Sequence, residues 1–453
     1  MEAPDGLPLP QRNWAMLAIG LAVAMSVLDS AIANVALPTI ARDLRATPAD
    51  SVWVVNAYQL VITVLLLPLA SLGEIVGYRR IYRTGLVIFT LASLACALSN
   101  SLLVLTLARV LQGVGAAGVL SINSALVRFI YPGRLLGRGI GIVALVVAVS
   151  AAIGPTVAAG ILSVASWPWL FAINVPTGVA TLVAARALPR TPRAARRFDS
   201  PSALLNAFFF GLLIIAIDSV GHGERPLYTV VAFAGAAVSG VALVARQLKQ
   251  ASPLLPVDLL RIPLFALSIA TSVCSFTAQM LAYVAIPFYF QTVLGRTDVA
   301  TGLLMTPWPV TAAMTAPIAG RLADRYPAGI LGLIGLLIFG AGLTLLALLP
   351  HAPGDANVVW RMALCGAGFG LFQSPNNRAI LGSAPRERSG GASGMLGTAR
   401  LVGQTTGAAL VALMFGLFGA RASLWALGVA AGVSLVAGAV SATRLIQTRG
   451  AEG

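Results

Sequence analysis

Charge is scarce in this sequence. Only 10% of its 453 residues are Asp, Glu, Lys or Arg, where a soluble domain carries about a quarter. Acids are the scarcer sign, 15 against 30 basic residues, for a net charge of +15. Hydrophobic residues make up 58%. One aqueous core cannot hide that much apolar surface, so a bilayer is the natural solvent. Cysteine is nearly absent. Cys96, Cys274 and Cys365 each sit in an apolar run, with no CxxC and no Cys/His cluster. That excludes a disulfide framework and a thiolate metal site, and buried free thiols are expected. The two histidines, His222 and His351, fall in predicted loops. No Walker loop, nucleotide fingerprint, Gly-x-Ser-x-Gly or pair of acids near a span is present. Neither direct ATP drive nor an embedded enzyme is expected. The basic excess is no nucleic-acid footprint either, because the arginines sit in short loops between apolar runs. The first apolar run has no small-residue cleavage site after it and reads as a retained helix.

What is present is a succession of apolar runs. A membrane helix needs about 20 mostly apolar residues. That window predicts fourteen spans, at 14–36, 52–72, 81–99, 102–124, 138–164, 169–188, 203–220, 227–245, 264–290, 301–320, 328–350, 359–380, 394–419 and 422–441. With the N-terminus inside, most Lys and Arg fall in inside segments, among them Arg79 and Arg80, Arg190 to Arg197, Arg246, Lys249, Arg321, Arg325, Arg378, Arg386, Arg444 and Arg449. Few fall outside, and Arg109 and Arg400 lie within spans. This bias predicts an even number of spans with both termini cytoplasmic.

The chain echoes itself. "ASLGEIVGYRR" (70–80) follows the second predicted span and "GRLADRYPAGI" (320–330) the tenth, placing Glu74 and Asp324 at matching points. The separation exceeds what six spans require, and two inserted helices account for the surplus. The expected organisation is an N-terminal six-helix bundle over 1–200, two inserted helices over 201–250 and a C-terminal six-helix bundle over 251–453. Repeated halves of this kind are the architecture of secondary transporters, which place the substrate site between the halves.

Five segments resemble motifs of the major facilitator superfamily, within it the fourteen-helix drug:proton antiporters that include exporters of methyl viologen and quaternary ammonium compounds. "LDSAIANVALP" (28–38) resembles the first-helix motif. "ARVLQGVGAAG" (108–118) resembles the fourth-helix motif, with Arg109 and Gln112–Gly113 in place. "AAIGPTVAAG" (151–160) resembles the fifth-helix antiporter motif through Gly154–Pro155, with Ala158 and Ala159 where paired glycines are usual. "SWPWLFAINVPTG" (166–178) resembles the entry to the sixth helix, with Pro168 where Arg is usual. The loop motif is well matched at 320–325, while its first copy departs at Ala70, Glu74, Ile75 and Tyr78. The resemblance covers nearly the whole chain. It implies an all-α integral membrane protein of the major facilitator fold with about fourteen transmembrane helices, in the cytoplasmic membrane. It also implies efflux by alternating access, with the proton gradient as energy source and no bound cofactor or metal. Expected partners are the lipid bilayer, protons and small amphipathic organic substrates, with no nucleic acid and no catalytic activity, in a protein acting as a monomer. A same-fold transporter of one metabolite, such as an amino acid, siderophore or antibiotic intermediate, is the alternative.

The residues themselves carry part of this. Asp29 lies about 22 Å along the first span from Trp14. An Asp at a helix centre costs roughly 3 kcal/mol, so it is expected to face the bundle interior or a water-filled cavity. Taking a carboxylate out of water favours its protonated form, which makes Asp29 the candidate proton carrier. A structural hydrogen-bond partner is the alternative. Arg109 needs a partner too, and Gln112 is one turn on. A pairing of Asp29 with Arg109 is expected, against a snorkelling Arg at the interface. Gly154 and Pro155 read as a hinge, a seal or tight packing. Asp324 with Arg321 and Arg325 reads as a cytoplasmic latch, and Glu74 with Arg79 and Arg80 as its companion, against plain loop charge. Candidates for a substrate cavity are Met25, Asn34, Tyr58, Gln59, Gln112, Phe276, Gln279, Tyr283, Gln373, Asn376 and Asn377, each with packing as its alternative. As a set they suggest an amphipathic, cationic solute. Asp218 reads as a solvated helix end.

Overall fold

The computed structural model describes residues 6–195, 197–221, 225–250, 253–350, 352–385 and 388–449. His222, His351, Arg196 and Arg386 lie outside them, and the side chain of Arg449 is likewise not described. Among the described residues every regular element is helical. In chain order these are α1 (Leu9–Asp43), α2 (Pro48–Ser51), α3 (Trp53–Val76), α4 (Tyr78–Ala97), α5 (Leu102–Leu120), α6 (Asn123–Ile130), α7 (Leu136–Leu162), α8 (Pro168–Ala172) and α9 (Asn174–Ala184). They continue as α10 (Ser200–Gly221), α11 (Pro226–Gln247), α12 (Pro263–Phe288), α13 (Asp298–Met305), α14 (Pro307–Leu322), α15 (Ala328–Ala347), α16 (Asp355–Ser383), α17 (Ser389–Phe418) and α18 (Ala422–Arg449).

Local chemistry sets the breaks. Gly77 separates α3 from α4 at φ +107°, a backbone that favours glycine. Ser101 accepts from the Val104 N–H at 3.4 Å to start α5, and Thr297 accepts from the Ala300 N–H at 3.2 Å to start α13.

Twelve helical segments among the described residues are long and apolar enough to cross a membrane. They include α10 and α11, at the two expected central insertions. The count differs from fourteen at two places. The predicted span 301–320 is broken at Thr306 into α13 and α14, of 8 and 16 residues, with prolines at 307 and 309. The span 359–380 lies in α16, 29 residues long but interrupted by Arg361, Gln373, Asn376, Asn377 and Arg378. α16 packs against α14 and α15, while α14 keeps an exposed apolar face at Val310, Met314 and Ile318.

The chain forms two compact units, one from Met1–Ala33 with Trp53–Ala207, the other from Asn34–Val52 with Phe208–Gly453. In the first, α4 and α5 cross closely. A Cβ on Gly85 would lie 2.8 Å from the Gly115 carbonyl oxygen. In the second, α15 and α16 repeat this contact, with a Cβ on Gly335 falling 2.7 Å from the Gly368 carbonyl oxygen. Gly85 and Gly335 have the same separation as Glu74 and Asp324, so the echo read in the loops extends into packing. The second unit also holds a ladder of edge-on rings, Tyr283–Trp308–Phe339–Phe369–Phe276, with centroids 5.3, 5.3, 5.6 and 5.4 Å apart.

Three expectations about single residues change. Asp218 is half-buried in α10 rather than solvated. Cys96 and Cys365 are buried free thiols, but Cys274 is half-buried. Arg444, read as an inside-loop charge, is 1% exposed within α18, because that helix runs beyond the predicted span end at 441.

Candidate functional site

The first unit gathers its intramembrane charges at one point. Asp29 comes from α1, Arg109 and Gln112 from α5, and Asn174 begins α9. Glycine lets α5 bring its side chains this close to its neighbours. A Cβ on Gly113 would meet the Tyr58 carbonyl oxygen at 2.9 Å, so α5 lies against the α3 backbone at the residue after Gln112.

Arg109 Nη1 donates to Asp29 Oδ2, and the side chains of this ion pair are 0% exposed. Asp29 Oδ1 accepts from Gln112 Nε2 and from Asn174 Nδ2, both at 2.8 Å. Gln112 ties the cluster together. Its Oε1 accepts from Arg109 Nη1 at 2.6 Å, and its Nε2 also donates to Ser93 Oγ of α4 at 2.9 Å. Arg109 Nε donates to the Val54 carbonyl at 2.9 Å. The guanidinium lies over the Tyr58 ring, 4.1 Å from its centroid, and faces Phe171 of α8 at 5.6 Å. Tyr58 in turn donates to the Ser26 carbonyl at 3.4 Å. Among the described residues, Arg109 Nη2 is buried with no hydrogen-bond partner, as are both amide atoms of Asn56.

These contacts shape the chemistry. The carboxylate meets only donors, an arrangement suited to its ionised form. A proton added to Asp29 removes the negative charge facing Arg109 and leaves Arg109 as a buried, uncompensated cation. Charge and geometry at this point change together.

The remaining expected residues fall into groups. Met25 is buried, and its sulfur accepts from Thr181 Oγ1 at 3.6 Å. Gln59 is buried with its amide 3.4 Å from Ser30 Oγ. Asn34 is buried, its Oδ1 has no hydrogen-bond partner among the described residues, and it belongs to the second unit. Phe276 and Tyr283 are members of the aromatic ladder, where packing accounts for them. Gln279, Gln373 and Asn377 are half-buried. Asn376 serves a buried network of the second unit. Its Oδ1 accepts from Arg444 Nη1 at 2.7 Å and its Nδ2 donates to Ser272 Oγ at 2.8 Å. Arg444 also donates to Ser268 Oγ at 3.1 Å and to Ser441 Oγ.

Among the gating candidates, Asp324 pairs with Arg378 of α16, and both side chains are exposed. Among the described residues no ion pair forms with Arg321 or Arg325, the partners expected from sequence. A neighbour in sequence is often carried away from an acid by a turn, whereas α16 brings Arg378 to it through space. The companion turn is organised differently. The segment after α9 crosses it: Ala194 N–H donates to the Glu74 carbonyl at 2.8 Å and Tyr78 N–H to Thr191 Oγ1 at 3.1 Å. Arg79 Nη2 donates to the Arg186 carbonyl at 2.9 Å, and Arg80 is exposed. Gly154 and Pro155 lie within unbroken α7, where a Cβ on Gly154 would meet that of Ala31 at 2.6 Å.

Sequence reasoning missed Asn174, Ser93 and Phe171 as parts of the charged cluster. Asn174 could have been flagged, since it stands alone in an apolar run as Asn34 does. Ser93 and Phe171 have no such mark.

The model of the Major Facilitator Superfamily matches residues 19–400 and 267–449. The chain is 60% identical to the "Uncharacterized transporter YebQ" of Escherichia coli, over 98% of each. It is 34% identical to the "Multidrug resistance protein Stp" of Mycobacterium tuberculosis, over 87% of this chain and 74% of that one. It is 31% identical to the "Riboflavin transporter RibZ" of Clostridioides difficile, over 89% of each. Its fold is similar to that of a POT family transporter solved with a thioalcohol-conjugated peptide, with TM-score 0.72 and 14% identity over 96% of each chain.

Proposed function

Because this chain belongs to the Major Facilitator Superfamily of multi-pass membrane transporters, we propose that it exports amphipathic organic compounds in exchange for protons, by alternating access. The observation that carries this reading is the sealed Asp29–Arg109 pair with its all-donor surroundings. A proton arriving at Asp29 neutralises the carboxylate and weakens its hold on Arg109, Gln112 and Asn174. Four helices, α1, α4, α5 and α9, meet through those bonds. Loss of the proton restores them. A two-position element of this kind couples a proton to a conformational step. The relative named for multidrug resistance supports export of more than one compound.

Within this reading both termini are cytoplasmic in the cell membrane. The α13–α14 segment, apolar but broken at Thr306, and α16, which as a helix lodged among others need not be as apolar as one facing lipid, complete a set of fourteen spans. The bundles are 1–200 and 251–453, with α10 and α11 inserted. Asp324–Arg378 acts as a cytoplasmic latch. The relative named for riboflavin transport favours a second reading, a carrier of one metabolite on the same fold.

The test is efflux from liposomes holding the purified protein, with a panel of amphipathic dyes and quaternary ammonium compounds and with riboflavin. Export that follows an imposed pH gradient, and that Asp29→Asn abolishes, is expected. Transport indifferent to the gradient would overturn proton coupling, and transport of riboflavin alone would favour the second reading.

A further inference from the structure

The second unit holds an intramembrane charge that the cluster around Asp29 does not involve. Arg400 lies 11 residues past the start of α17, about 16 Å along a helix of about 45 Å. That depth is well inside the candidate span Gly390–Phe418. The preceding residue, Ala399, is buried with Phe265, Ile269, Ile380 and Met395. One turn on, a Cβ on Gly403 would stand 2.6 Å from the Val273 carbonyl oxygen and 2.8 Å from Phe276 Cβ, so α17 is pressed onto α12 there.

Every other buried guanidinium described has protein acceptors. Arg109 has Asp29, Gln112 and the Val54 carbonyl, and Arg444 has Asn376, Ser268 and Ser441. Arg400 has none among the described residues: no hydrogen bond and no ion pair reaches it, and its Nε is buried with no partner. The residue as a whole is half-buried, so its outer nitrogens reach open space while Nε does not. Gln404, one turn along the same face, is also half-buried and has no hydrogen-bond partner among the described residues.

A cation at this depth without a counter-charge is costly, and such a group reads as a site for what supplies the charge. Resting on the exporter reading above, we propose that Arg400 recognises an acidic group, a carboxylate, sulfonate or phosphate, on the transported amphipath, with Gln404 as a neutral second donor. A guanidinium can present the N–H groups of its two outer nitrogens as a planar fork to two oxygens of such a group. This narrows the substrate class. A purely cationic solute gains nothing at Arg400, whereas an acid or zwitterion gains a charge-assisted pair in a medium that strengthens it.

The experiment uses the full-length purified protein with a matched probe pair, a carboxylated amphipathic dye and its methyl ester. Binding to the detergent-solubilised protein is read by fluorescence anisotropy, and transport is read in liposomes. The wild type is expected to bind the acid more tightly than the ester. Arg400→Gln is expected to weaken binding of the acid by about ten-fold or more, the loss of a charge-assisted bond, and to change the ester by less than about two-fold. Arg400→Lys is expected to keep part of the preference, as a point charge without the fork. Equal binding of acid and ester by the wild type overturns the proposal. So does a parallel loss of both in Arg400→Gln, the signature of a packing role. Acid binding that depends on Arg400 without pH-driven transport leaves this inference standing and removes proton-coupled export instead.

Discussion

Asp29 and Arg109, 80 residues apart in the chain, form an ion pair from which solvent is excluded on both sides. Removing one partner of a buried pair leaves the other uncompensated and costs about 3–5 kcal/mol. Asp29→Asn and Arg109→Ala are therefore each expected to lower the thermal midpoint of the detergent-solubilised protein and to stop pH-driven export. The double variant Asp29→Asn with Arg109→Gln is expected to recover part of the stability and none of the export. Melting curves and liposome efflux on the same preparations check both. Export that survives in Asp29→Asn would sink the proton-carrier role.

Tyr58 supports Arg109 with its ring rather than its hydroxyl, which makes only a 3.4 Å bond to the Ser26 carbonyl. Tyr58→Phe is expected to be nearly silent. Tyr58→Leu is expected to cost about 1–2 kcal/mol, a desolvated cation–π contact. Comparing the two midpoints decides the matter, and equal losses would assign the role to the hydroxyl.

The exposed Asp324–Arg378 pair contributes little to stability whatever it does in transport. Its side chains are 63% and 60% exposed, and such pairs contribute about 1 kcal/mol or less. Asp324→Asn is expected to leave the melting midpoint unchanged and to slow export. The exchange Asp324→Arg with Arg378→Asp is expected to restore the rate. A swap that stays slow would argue against a latch between these two residues.

The glycine crossings should be intolerant of a single methyl group. Gly85→Ala and Gly335→Ala each drive a Cβ into a carbonyl oxygen of the crossing helix, and forced separation of well-packed elements costs about 1–3 kcal/mol. Gly160→Ala in α7 meets nothing within 4 Å and is expected to be neutral or slightly stabilising. Yield and melting midpoint of the three variants check the contrast.

Much of the site was legible because lipid makes polarity conspicuous. Asp29, Arg109 and Gln112 stand out in apolar runs, and the cost of an unpaired charge there forces a pairing. The same logic reached Asn376 but assigned it to a cavity, because its partner Arg444 read as a loop residue. Asp324 was found and its partner was not. Sequence neighbours Arg321 and Arg325 were the visible choice, and Arg378 comes to it only through the packing of α16 on α14. Two predicted spans are not among the twelve long apolar helices: 301–320, because the helix breaks at Thr306, and 359–380, because α16 carries Arg361 and Arg378 among its apolar residues.

Read alone, the sequence determined that this chain lives in a bilayer, that it is helical, that it repeats a loop motif, and that Asp29, Arg109 and Arg400 lie at membrane depth. Those conclusions follow from composition and spacing, which the solvent dictates. Tertiary structure alone decided which of those groups meet. It sealed Asp29 with Arg109, Gln112 and Asn174, closed Arg444 onto Asn376, and left Arg400 with no acceptor among the described residues. Such choices depend on where glycines let helices touch, a property of surfaces in space that no run of residues displays.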